Sequence, residues 1–294
     1  MLLIVGANGL LGRHAGNYFM EAGRSVISVS HGEPADFQLD LRFPVEGDFL
    51  KEKIPARVKA ALICSAVTSL DECFLHKEET RRFNVTHTIA LLQWLIRHHV
   101  LPIFCSSDQV FAGEKGGYRE DDERTPASEY GRQKKAVEDF LEAQDRPYLI
   151  LRLSKLYSLD DDDTSPIGQM LTTLSQGKIV RGAYDQAICP TLVDDLPRAI
   201  AWLLDYGATG AFHLAALRRY TRHELALQVA DSIGREAQVE QCSIRDIAFA
   251  EPRTLDNTLV TEKFLARSGF RFRELAETLP TILANRKMIE GAKT

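Results

Sequence analysis

The sequence has little that would suit a membrane, secreted or nucleic-acid-binding protein. No apolar run approaches the roughly 20 residues that a membrane-spanning helix requires. The apolar stretch at residues 2–5 has no basic region before it and is followed by glycines, so we do not expect a signal peptide. The formal net charge of −5 offers no excess of positive charge for nucleic acid or an anionic membrane. These absences favour a small-molecule partner, and they leave a homodimer open.

Cysteine is scarce, and its spacing argues against two common uses. The chain has 5 cysteines, an odd number, and no C-x-x-C pair. This argues against a disulfide framework and a zinc site, and we expect no bound metal. It favours a reducing compartment, so we expect a cytoplasmic protein. Cys64 and Cys105 lie at the ends of apolar runs and are predicted to be small buried side chains.

Strand-like and helix-like segments alternate over the first half of the chain. Short segments typical of strands occur at residues 2–5, 26–30, 38–41, 60–64, 102–105 and 148–151. Helical patterns lie at residues 13–22, 78–98 and 130–142. Strands that alternate with helices form parallel β-α-β units. We therefore predict an α/β fold with a Rossmann-type, doubly wound parallel sheet.

A glycine-rich turn joins the first predicted strand to the first predicted helix. Its sequence is Gly6-Ala7-Asn8-Gly9-Leu10-Leu11-Gly12, with the spacing G-x-x-G-x-x-G. Gly6 permits the tight turn, Gly9 lets the backbone approach a pyrophosphate, and Gly12 allows close packing of helix on strand. The free N–H groups and the dipole at a helix N-terminus favour the same anion. The turn therefore predicts dinucleotide binding, and the alternative is a purely structural turn.

The residues that would distinguish NAD from NADP do not agree on one cofactor. The second strand ends at Ser30-His31, where an acidic residue would bind the ribose hydroxyls of NAD, and Glu33 lies a little beyond. Arg13, directly after the glycine turn, could meet a 2′-phosphate. NADP(H) is therefore slightly preferred over NAD(H). Asp40 is a candidate acceptor for the adenine amino group, or else a turn residue.

A Tyr-x-x-x-Lys pair opens the helix at residues 130–142. Tyr130 and Lys134 are four residues apart, so both project from one helix face. A nearby ammonium favours the phenolate and lowers the pKa of a tyrosine, which could then exchange a proton with a carbonyl oxygen. Ser107 follows the fifth strand, at the sheet edge where ligands bind, and could orient that carbonyl. Its neighbour Ser106 is interpreted as a cap or turn residue.

The regular alternation ends near residue 156, and we place a domain boundary there. Residues 1–156 are predicted to bind the dinucleotide, and residues 157–294 to bind mainly substrate, with some segments returning to the sheet. Helical stretches in the second part lie near residues 167–176, 196–206, 222–233 and 261–268. The run Asp160–Asp163 is predicted to be a solvated loop, because adjacent carboxylates repel each other and rarely converge on a metal.

These motifs resemble those of the extended short-chain dehydrogenases/reductases, and more narrowly the dTDP-4-dehydrorhamnose reductase family. Residues 106–113, Ser-Ser-Asp-Gln-Val-Phe-Ala-Gly, are similar to the family segment S-T-D-x-V-F-x-G. The resemblance continues through Tyr130-Gly131-Arg132-Gln133-Lys134, Arg152-Leu153-Ser154, Pro190-Thr191 and the stretch from Pro252-Arg253 to Lys263. It covers nearly the whole chain.

The resemblance implies hydride transfer from NAD(P)H to the 4-keto carbon of a nucleotide-linked deoxysugar. Ser107, Tyr130 and Lys134 then take the catalytic roles. The implied cofactor-binding residues, besides Tyr130 and Lys134, are Gly6, Asn8, Gly9, Leu10, Leu11, Gly12, Arg13, Asp40, Leu41, Ala66, Val67, Thr68 and Cys105. The candidate substrate-binding residues are Ser107, Asp108 and Lys155.

Two departures from the family pattern leave the substrate and the function class open. The family has an aromatic residue where this chain has Gln109, and a tryptophan at Lys155 that helps to line the sugar site. Lys155 could bind an anionic substrate group or be an ordinary surface residue. One alternative function is a non-catalytic NADP-binding regulatory subunit like the methionine adenosyltransferase β subunit. Another is a nucleotide-sugar epimerase or dehydratase, although Asp108 is not followed by the glutamate that a dehydratase would require.

Overall fold

The computed structural model describes residues 1–235 and 238–292. The chain divides into two compact units. The first comprises residues 1–112, 123–152 and 196–212, and the second comprises residues 113–122, 153–195 and the chain from 213 onward. The segment 196–212 thus returns to the first unit after the chain has entered the second. The predicted boundary at residue 156 and the role given to each side of it stay predictions.

The strands and helices are numbered here in chain order. The strands are β1 (Leu2–Val5), β2 (Val26–Ser30), β3 (Phe37–Gln38), β4 (Ala60–Ile63), β5 (Leu101–Ser107), β6 (Leu149–Leu153), β7 (Leu156–Tyr157), β8 (Val180–Ala183), β9 (Ala187–Ile188), β10 (Thr191–Leu192), β11 (Gly210–Leu214), β12 (Tyr220–Thr221) and β13 (Val239–Cys242). The helices are α1 (Leu10–Glu21), α2 (Gly47–Lys53), α3 (Leu70–Leu75), α4 (Lys77–Arg81), α5 (Thr88–Arg97), α6 (Glu129–Glu142), α7 (Pro166–Ser175), α8 (Asp195–Tyr206), α9 (Arg222–Asp231), α10 (Glu262–Ser268) and α11 (Leu275–Ala292).

A seven-stranded parallel sheet organises the first unit, in the order β11-β6-β5-β4-β1-β2-β3. Strand β1 pairs with β2 on one side and with β4 on the other, so the order reverses at β1. In such sheets ligands bind beyond the carboxyl ends of the strands at the reversal point. The predicted α/β class with a Rossmann-type sheet is confirmed.

Two predicted elements differ from the observed ones for local reasons. The third strand is Phe37–Gln38 and not residues 38–41, because the Asp40 carboxylate accepts a hydrogen bond from the Arg42 backbone N–H at 2.9 Å and turns the chain. The helix predicted at residues 78–98 is interrupted by π-helical residues Arg82–His87, between α4 and α5. There the Thr88 hydroxyl donates to the Phe83 carbonyl oxygen at 2.9 Å, five residues back.

Sequence analysis misses the helices α2, α3 and α11. Helix α3 carries a start signal, since the Ser69 hydroxyl accepts a hydrogen bond from the Glu72 N–H. Helix α11 contains Pro280, a residue that usually argues against a helix interior. None of the helices in residues 1–235 and 238–292 is both long and apolar enough to cross a membrane.

The second unit contains short strand pairs and helices around its own apolar core. Strand β7 pairs with β10, β8 with β13, and β9 with β12. Helix α9 begins with a capping box, in which the Thr221 side chain and the Glu224 side chain each bind the other residue's backbone N–H. Its buried face joins side chains of α7 and α11 in one hydrophobic cluster. The Asp160–Asp163 run lies outside helices and strands, as predicted.

The core of the first unit predicts where substitution destabilises the protein. Leu95 on α5 is fully buried in the cluster beneath the sheet, whereas the Leu75 side chain on α3 is 63% exposed. We expect Leu95→Ala to lower the free energy of unfolding by about 2–5 kcal/mol, because it removes buried methyl groups and leaves a cavity. The matched variant Leu75→Ala should change it by less than about 0.5 kcal/mol. Urea unfolding measures both, and equal losses would contradict the assigned core.

Candidate active site

The glycine turn between β1 and α1 leaves no space for side chains at two of its positions. Gly6 has a φ of 88°, and a Cβ there would lie 2.7 Å from the Ser65 backbone nitrogen. A Cβ on Gly12 would lie 2.1 Å from the Gly6 carbonyl oxygen. Both distances are shorter than van der Waals contact, so backbone packing requires glycine at these two positions. At Gly9 the same oxygen is 3.3 Å from the Cβ position, which leaves a little more room.

The N-terminus of α1 is open to an anion. Gly9 is the N-cap residue, and it has no side chain to accept hydrogen bonds from the first N–H groups, which begin with those of Leu10 and Leu11. The Asn8 side chain donates to the Gly32 carbonyl oxygen at 3.1 Å and ties the turn to the end of β2. Unpaired N–H groups at a helix start, without a Cβ in front of them, fit a dinucleotide pyrophosphate.

A cavity of about 390 Å³ lies beside the glycine turn. It brings together the ends of β1, β2 and β4 and the segment after β3. Its lining includes the predicted residues Gly6, Asn8, Gly9, Asp40 and Ala66, together with Ser30, His31, Arg42, Cys64, Ser65 and Phe83. The cavity thus lies at the reversal point of the strand order and beside the glycine turn, at which the sequence predicts the dinucleotide.

Asp40 and Leu41 occupy this region in different ways. The Arg42 guanidinium donates to both carboxylate oxygens of Asp40, with Nη2–Oδ2 at 2.6 Å, and this hydrogen bonding lowers the pKa of Asp40. The carboxylate is therefore ionised and already engaged, although it still lines the cavity. Leu41 is buried, and its carbonyl oxygen lies 2.7 Å from His87 Nδ1. A contact from Leu41 to a cofactor stays a prediction.

Arg13 and the Ser30-His31 pair line different cavities. Arg13 is exposed and lines a second cavity of about 720 Å³ with Gly12, Glu33 and Asp36. The Asp36 carboxylate accepts from the Ser28 backbone N–H at 2.7 Å and so lies along β2. Arg13, the cation that would favour a 2′-phosphate, therefore shares its cavity with carboxylates. The choice between NADP and NAD stays a proposal.

A buried polar network supports the loop after β4, which carries Ala66, Val67 and Thr68. The Asn84 side chain accepts from the Val67 backbone N–H at 2.8 Å and donates to its carbonyl oxygen at 2.9 Å. It also donates to the Gln133 side chain at 2.7 Å, next to Lys134 on α6. Asn84 lies in the π-helical segment, which turns this polar side chain inward.

The three predicted catalytic side chains meet at the end of β5. The Ser107 side chain is close enough to the Tyr130 phenol to act against the rise in its pKa, and the Ser107 hydroxyl donates to Asp108 Oδ1 at 2.9 Å. The Lys134 ammonium donates to the Cys105 carbonyl oxygen at 2.7 Å and lies 5.7 Å from the centre of the Tyr130 ring. Ser107, Tyr130 and Lys134 are all buried.

Burial controls the protonation of this group. It lowers the pKa of Lys134 to about 8, since a charged amine is poorly solvated there. Burial also raises the pKa of Tyr130, and the neighbouring Asp108 carboxylate raises it further. Sequence analysis expects Lys134 to lower the pKa of Tyr130, but burial outweighs any such effect. At neutral pH the phenol therefore holds its proton, as a proton donor must.

Helix α6 approaches the segment that follows β5 closely enough to require a glycine. A Cβ on Gly131 would lie 2.0 Å from the Gln109 carbonyl oxygen. On the sheet side, the Cys64 and Cys105 sulfur atoms are 3.8 Å apart, and the hydrogen bond between them and burial raise the pKa of Cys64. Cys105 therefore supports Lys134 through its backbone, whereas its side chain packs on Cys64.

The candidate substrate residues fall into separate parts of the molecule. Asp108 is buried beside Ser107 and also accepts from the Gln109 amide at 3.3 Å. The Gln109 side-chain oxygen has no hydrogen-bond partner among the described residues, although this side chain is 7% exposed. Lys155 is an exposed residue of the second unit, where its carbonyl oxygen accepts from the Thr191 N–H at 2.8 Å. Its role stays a prediction.

Several supporting residues escape sequence analysis. Asn84 and Gln133 are polar residues inside helical patterns, and an asparagine between Phe83 and Val85 is a signal that could have been followed. Arg42, Ser65 and Phe83 reach the cavity only through the fold and carry no local signal. Within residues 1–235 and 238–292, no group of three or more histidine, cysteine or acidic side chains is arranged to hold a metal ion.

The chain is similar to known proteins over most of its length. The family model described as "RmlD substrate binding domain" matches residues 1–288. The chain is 30% identical over 262 residues to the probable low-salt glycan biosynthesis reductase Agl14 of Haloferax volcanii, covering 85% of this chain and 87% of that protein.

Solved structures share the fold over nearly the full length. A hypothetical dTDP-4-dehydrorhamnose reductase from Sulfolobus tokodaii superposes with a TM-score of 0.82 at 27% identity, covering 95% of this chain and 98% of that one. A dTDP-4-dehydrorhamnose reductase from Bacillus anthracis, in complex with NADP, has a TM-score of 0.82 at 19% identity, covering 96% and 98%. The latter likeness shows the fold alone.

The buried amine makes stability depend on pH. Lys134 titrates near pH 8 in the folded protein, against an ordinary pKa of 10.5. Below pH 8 it is charged in both folded and unfolded states, so folding buries a charge; above 10.5 it is neutral in both, and this cost vanishes. We expect Lys134→Met to be more stable than the natural protein by roughly 1–3 kcal/mol at pH 7, with the difference shrinking as pH rises.

Urea unfolding at pH 7, 9 and 10.5 measures this difference. The neighbouring Lys135, which pairs with Asp139 at 2.7 Å on the helix surface, provides the matched control Lys135→Met. That variant should differ from the natural protein by less than about 0.5 kcal/mol at each pH. A Lys134→Met variant that is less stable at pH 7, or equally stabilised at all three pH values, would contradict the assignment.

Proposed function

This chain belongs to the RmlD substrate binding domain family, and we propose that it is an NAD(P)H-dependent reductase of a nucleotide-linked 4-keto-6-deoxysugar. The family match and the relatives support an NAD(P)-binding reductase that acts on nucleotide sugars. The 4-keto-6-deoxy sugar, and a place in the biosynthesis of dTDP-rhamnose, are the finer part of the proposal. A cytoplasmic location and a homodimer stay predictions.

The observation that carries the proposal is the grouping of Ser107, Tyr130 and Lys134. The serine side chain lies close enough to the phenol to influence its pKa, and the lysine ammonium lies 5.7 Å from the centre of the same ring. These groups belong to the same unit as the glycine turn, and Ser107 ends β5, the strand that pairs with β4, after which Ala66 follows. A proton donor and a dinucleotide cradle on one sheet edge are what carbonyl reduction requires.

The cradle would hold the dinucleotide through the chain's own backbone. The free N–H groups at the start of α1 would bind its pyrophosphate, and the absence of Cβ atoms at Gly6, Gly9 and Gly12 gives it access. Ala66, Val67 and Thr68 would line it beyond β4, and Lys134 would bind a ribose hydroxyl. When bound, the reduced nicotinamide supplies a hydride. NADP(H) remains the slightly preferred cofactor.

Proton transfer would be the work of Tyr130. Its raised pKa keeps the phenol protonated at neutral pH, so it can give that proton to the carbonyl oxygen as the carbon is reduced. The Ser107 hydroxyl would hydrogen-bond the same oxygen and fix its position. The ammonium of Lys134 would stabilise the phenolate that remains.

Removing the proton donor tests this mechanism. We expect Tyr130→Phe to bind NADPH about as tightly as the natural protein but to lose at least ~10²-fold in kcat, because the general acid is absent. Turnover is followed as loss of reduced-nicotinamide absorbance with a panel of nucleotide-linked 4-keto-6-deoxysugars. Tyr148, a partly buried tyrosine of the same unit outside this group, supplies the control Tyr148→Phe. Near-normal turnover in Tyr130→Phe would remove the proposed role.

The same panel separates the proposed reductase from the other functions. Binding of NADPH or NADH without turnover of any sugar would favour a regulatory binding subunit. Conversion of a nucleotide sugar without net consumption of reduced cofactor would favour an epimerase or a dehydratase.

Cofactor preference is tested at Arg13. If Arg13 meets a 2′-phosphate, Arg13→Ala should weaken NADPH binding at least about fivefold and leave NADH binding nearly unchanged, because only NADPH has that group. Fluorescence titration gives both dissociation constants. Arg42→Ala is the matched control in the cavity of about 390 Å³. Loss of NADPH affinity in Arg42→Ala but not in Arg13→Ala would move the preference to Arg42.

A further inference from the structure

Glu138 is a fully buried carboxylate on α6, one helical turn after Lys134. It accepts a short hydrogen bond from the Ser106 hydroxyl. Arg152 donates to it through Nε at 3.2 Å and Nη2 at 2.9 Å, and Arg124 through Nη1 at 2.7 Å. The Arg152 side chain is almost fully buried, and that of Arg124 is 16% exposed.

These partners come from different segments of the first unit. Ser106 lies on β5 immediately before Ser107, Arg152 lies on β6, and Arg124 precedes α6. Glu138 therefore connects the strand end that carries Ser107 to the helix that carries Tyr130. A buried carboxylate is costly unless it is paired and hydrogen-bonded, and here both its oxygens have partners. Moving strand or helix relative to the other would break these contacts.

We propose that Glu138 is a positioning residue of the candidate reaction, which holds Ser107, Tyr130 and Lys134 in one arrangement by anchoring α6 to the ends of β5 and β6. The inference rests on the reductase function proposed above. Glu138 itself touches none of the reacting atoms and acts through Ser106 and through the helix.

Glu138 also acts on Lys134 electrostatically. The titratable groups that face the Lys134 ammonium are Cys64 from β4's end, Cys105 from β5, Cys73 from α3, and Tyr130 and Glu138 from its own helix. Glu138 is the carboxylate of this set, and its charge raises the pKa of Lys134 against the larger effect of burial. Arg124 and Arg152 bind Glu138 and so partly neutralise its charge. Removing the negative charge of Glu138 should therefore lower the pKa of Lys134, and removing a positive charge that neutralises Glu138 should raise it.

The pH dependence of cofactor binding measures the pKa of Lys134, and this measurement needs no sugar substrate. If the Lys134 ammonium binds a ribose hydroxyl, the affinity for NADPH falls as pH rises through the pKa of Lys134, near 8 in the natural protein. The full chain is titrated with NADPH by fluorescence between pH 6 and 10. Glu138→Gln should lower the midpoint by roughly 0.5–1 pH unit, and Arg124→Met should raise it by a similar amount.

Glu142→Gln is the matched control. Glu142 is on the same helix and binds the same Arg124 at 2.5 Å, but its side chain is 35% exposed and solvent screens its charge. Its midpoint should stay within about 0.2 pH unit of that of the natural protein. With a sugar substrate, Glu138→Gln should lose at least ~10-fold in kcat with little change in KM, whereas Glu142→Gln should be unaffected.

The outcomes separate this inference from the proposed function. A natural protein that binds neither NADPH nor NADH at any pH would contradict both. Normal binding with an unchanged midpoint in Glu138→Gln would overturn the role of Glu138 alone. If Glu138→Gln does not fold, Arg124→Met serves as the test, because it leaves the Glu138–Arg152 pair in place. A midpoint of NADPH binding that does not rise in Arg124→Met would overturn the inference.

Discussion

The close packing of α6 against the end of β5 is the constraint on which the candidate site depends. Gly131 leaves no room for a Cβ against the Gln109 carbonyl oxygen. One side of this contact holds Tyr130 against Ser107, and the next turn sends the Lys134 ammonium to the Cys105 carbonyl oxygen. A further turn on, Glu138 binds Ser106. Three turns of one helix thus contact three residues at the end of one strand.

This packing also shifts the pKa values of the side chains in the site, because it excludes water. A phenol and an amine in solution both have pKa values near 10, so at neutral pH the phenol holds its proton and the amine is charged. Burial moves them in opposite senses, and Tyr130 becomes still more firmly protonated while Lys134 approaches neutrality near pH 8. The cost of burying these groups is offset by the apolar core beneath the sheet and by the paired charges around Glu138.

The parts of the site that sequence analysis recovers are those in which the requirement is local. Within the turn from β1 to α1, Gly6 is favoured by its positive φ and Gly12 by its closeness to the Gly6 carbonyl oxygen, and Tyr130 and Lys134 share a face because of helical periodicity. The supporting residues depend on partners far along the chain. Asn84 binds Val67 and Gln133, which are 17 and 49 residues away, so its spacing carries no pattern. The predicted strand at residues 38–41 is wrong for a local reason, because the Asp40 side chain turns the chain and β3 ends at Gln38.

The sequence by itself determined the α/β class, and it predicted the glycine turn as a dinucleotide site and the three candidate catalytic side chains, because periodicity, turn sterics and the position of a residue after a strand are local properties. Only the tertiary structure decided which face of α6 meets β5, that Glu138 pairs with two arginines beside Ser106, and that Arg13 lies in a cavity apart from Ser30 and His31. It also decided the direction of the pKa of Tyr130. Burial and charge pairing are properties of groups brought together from distant segments, and no local pattern records them.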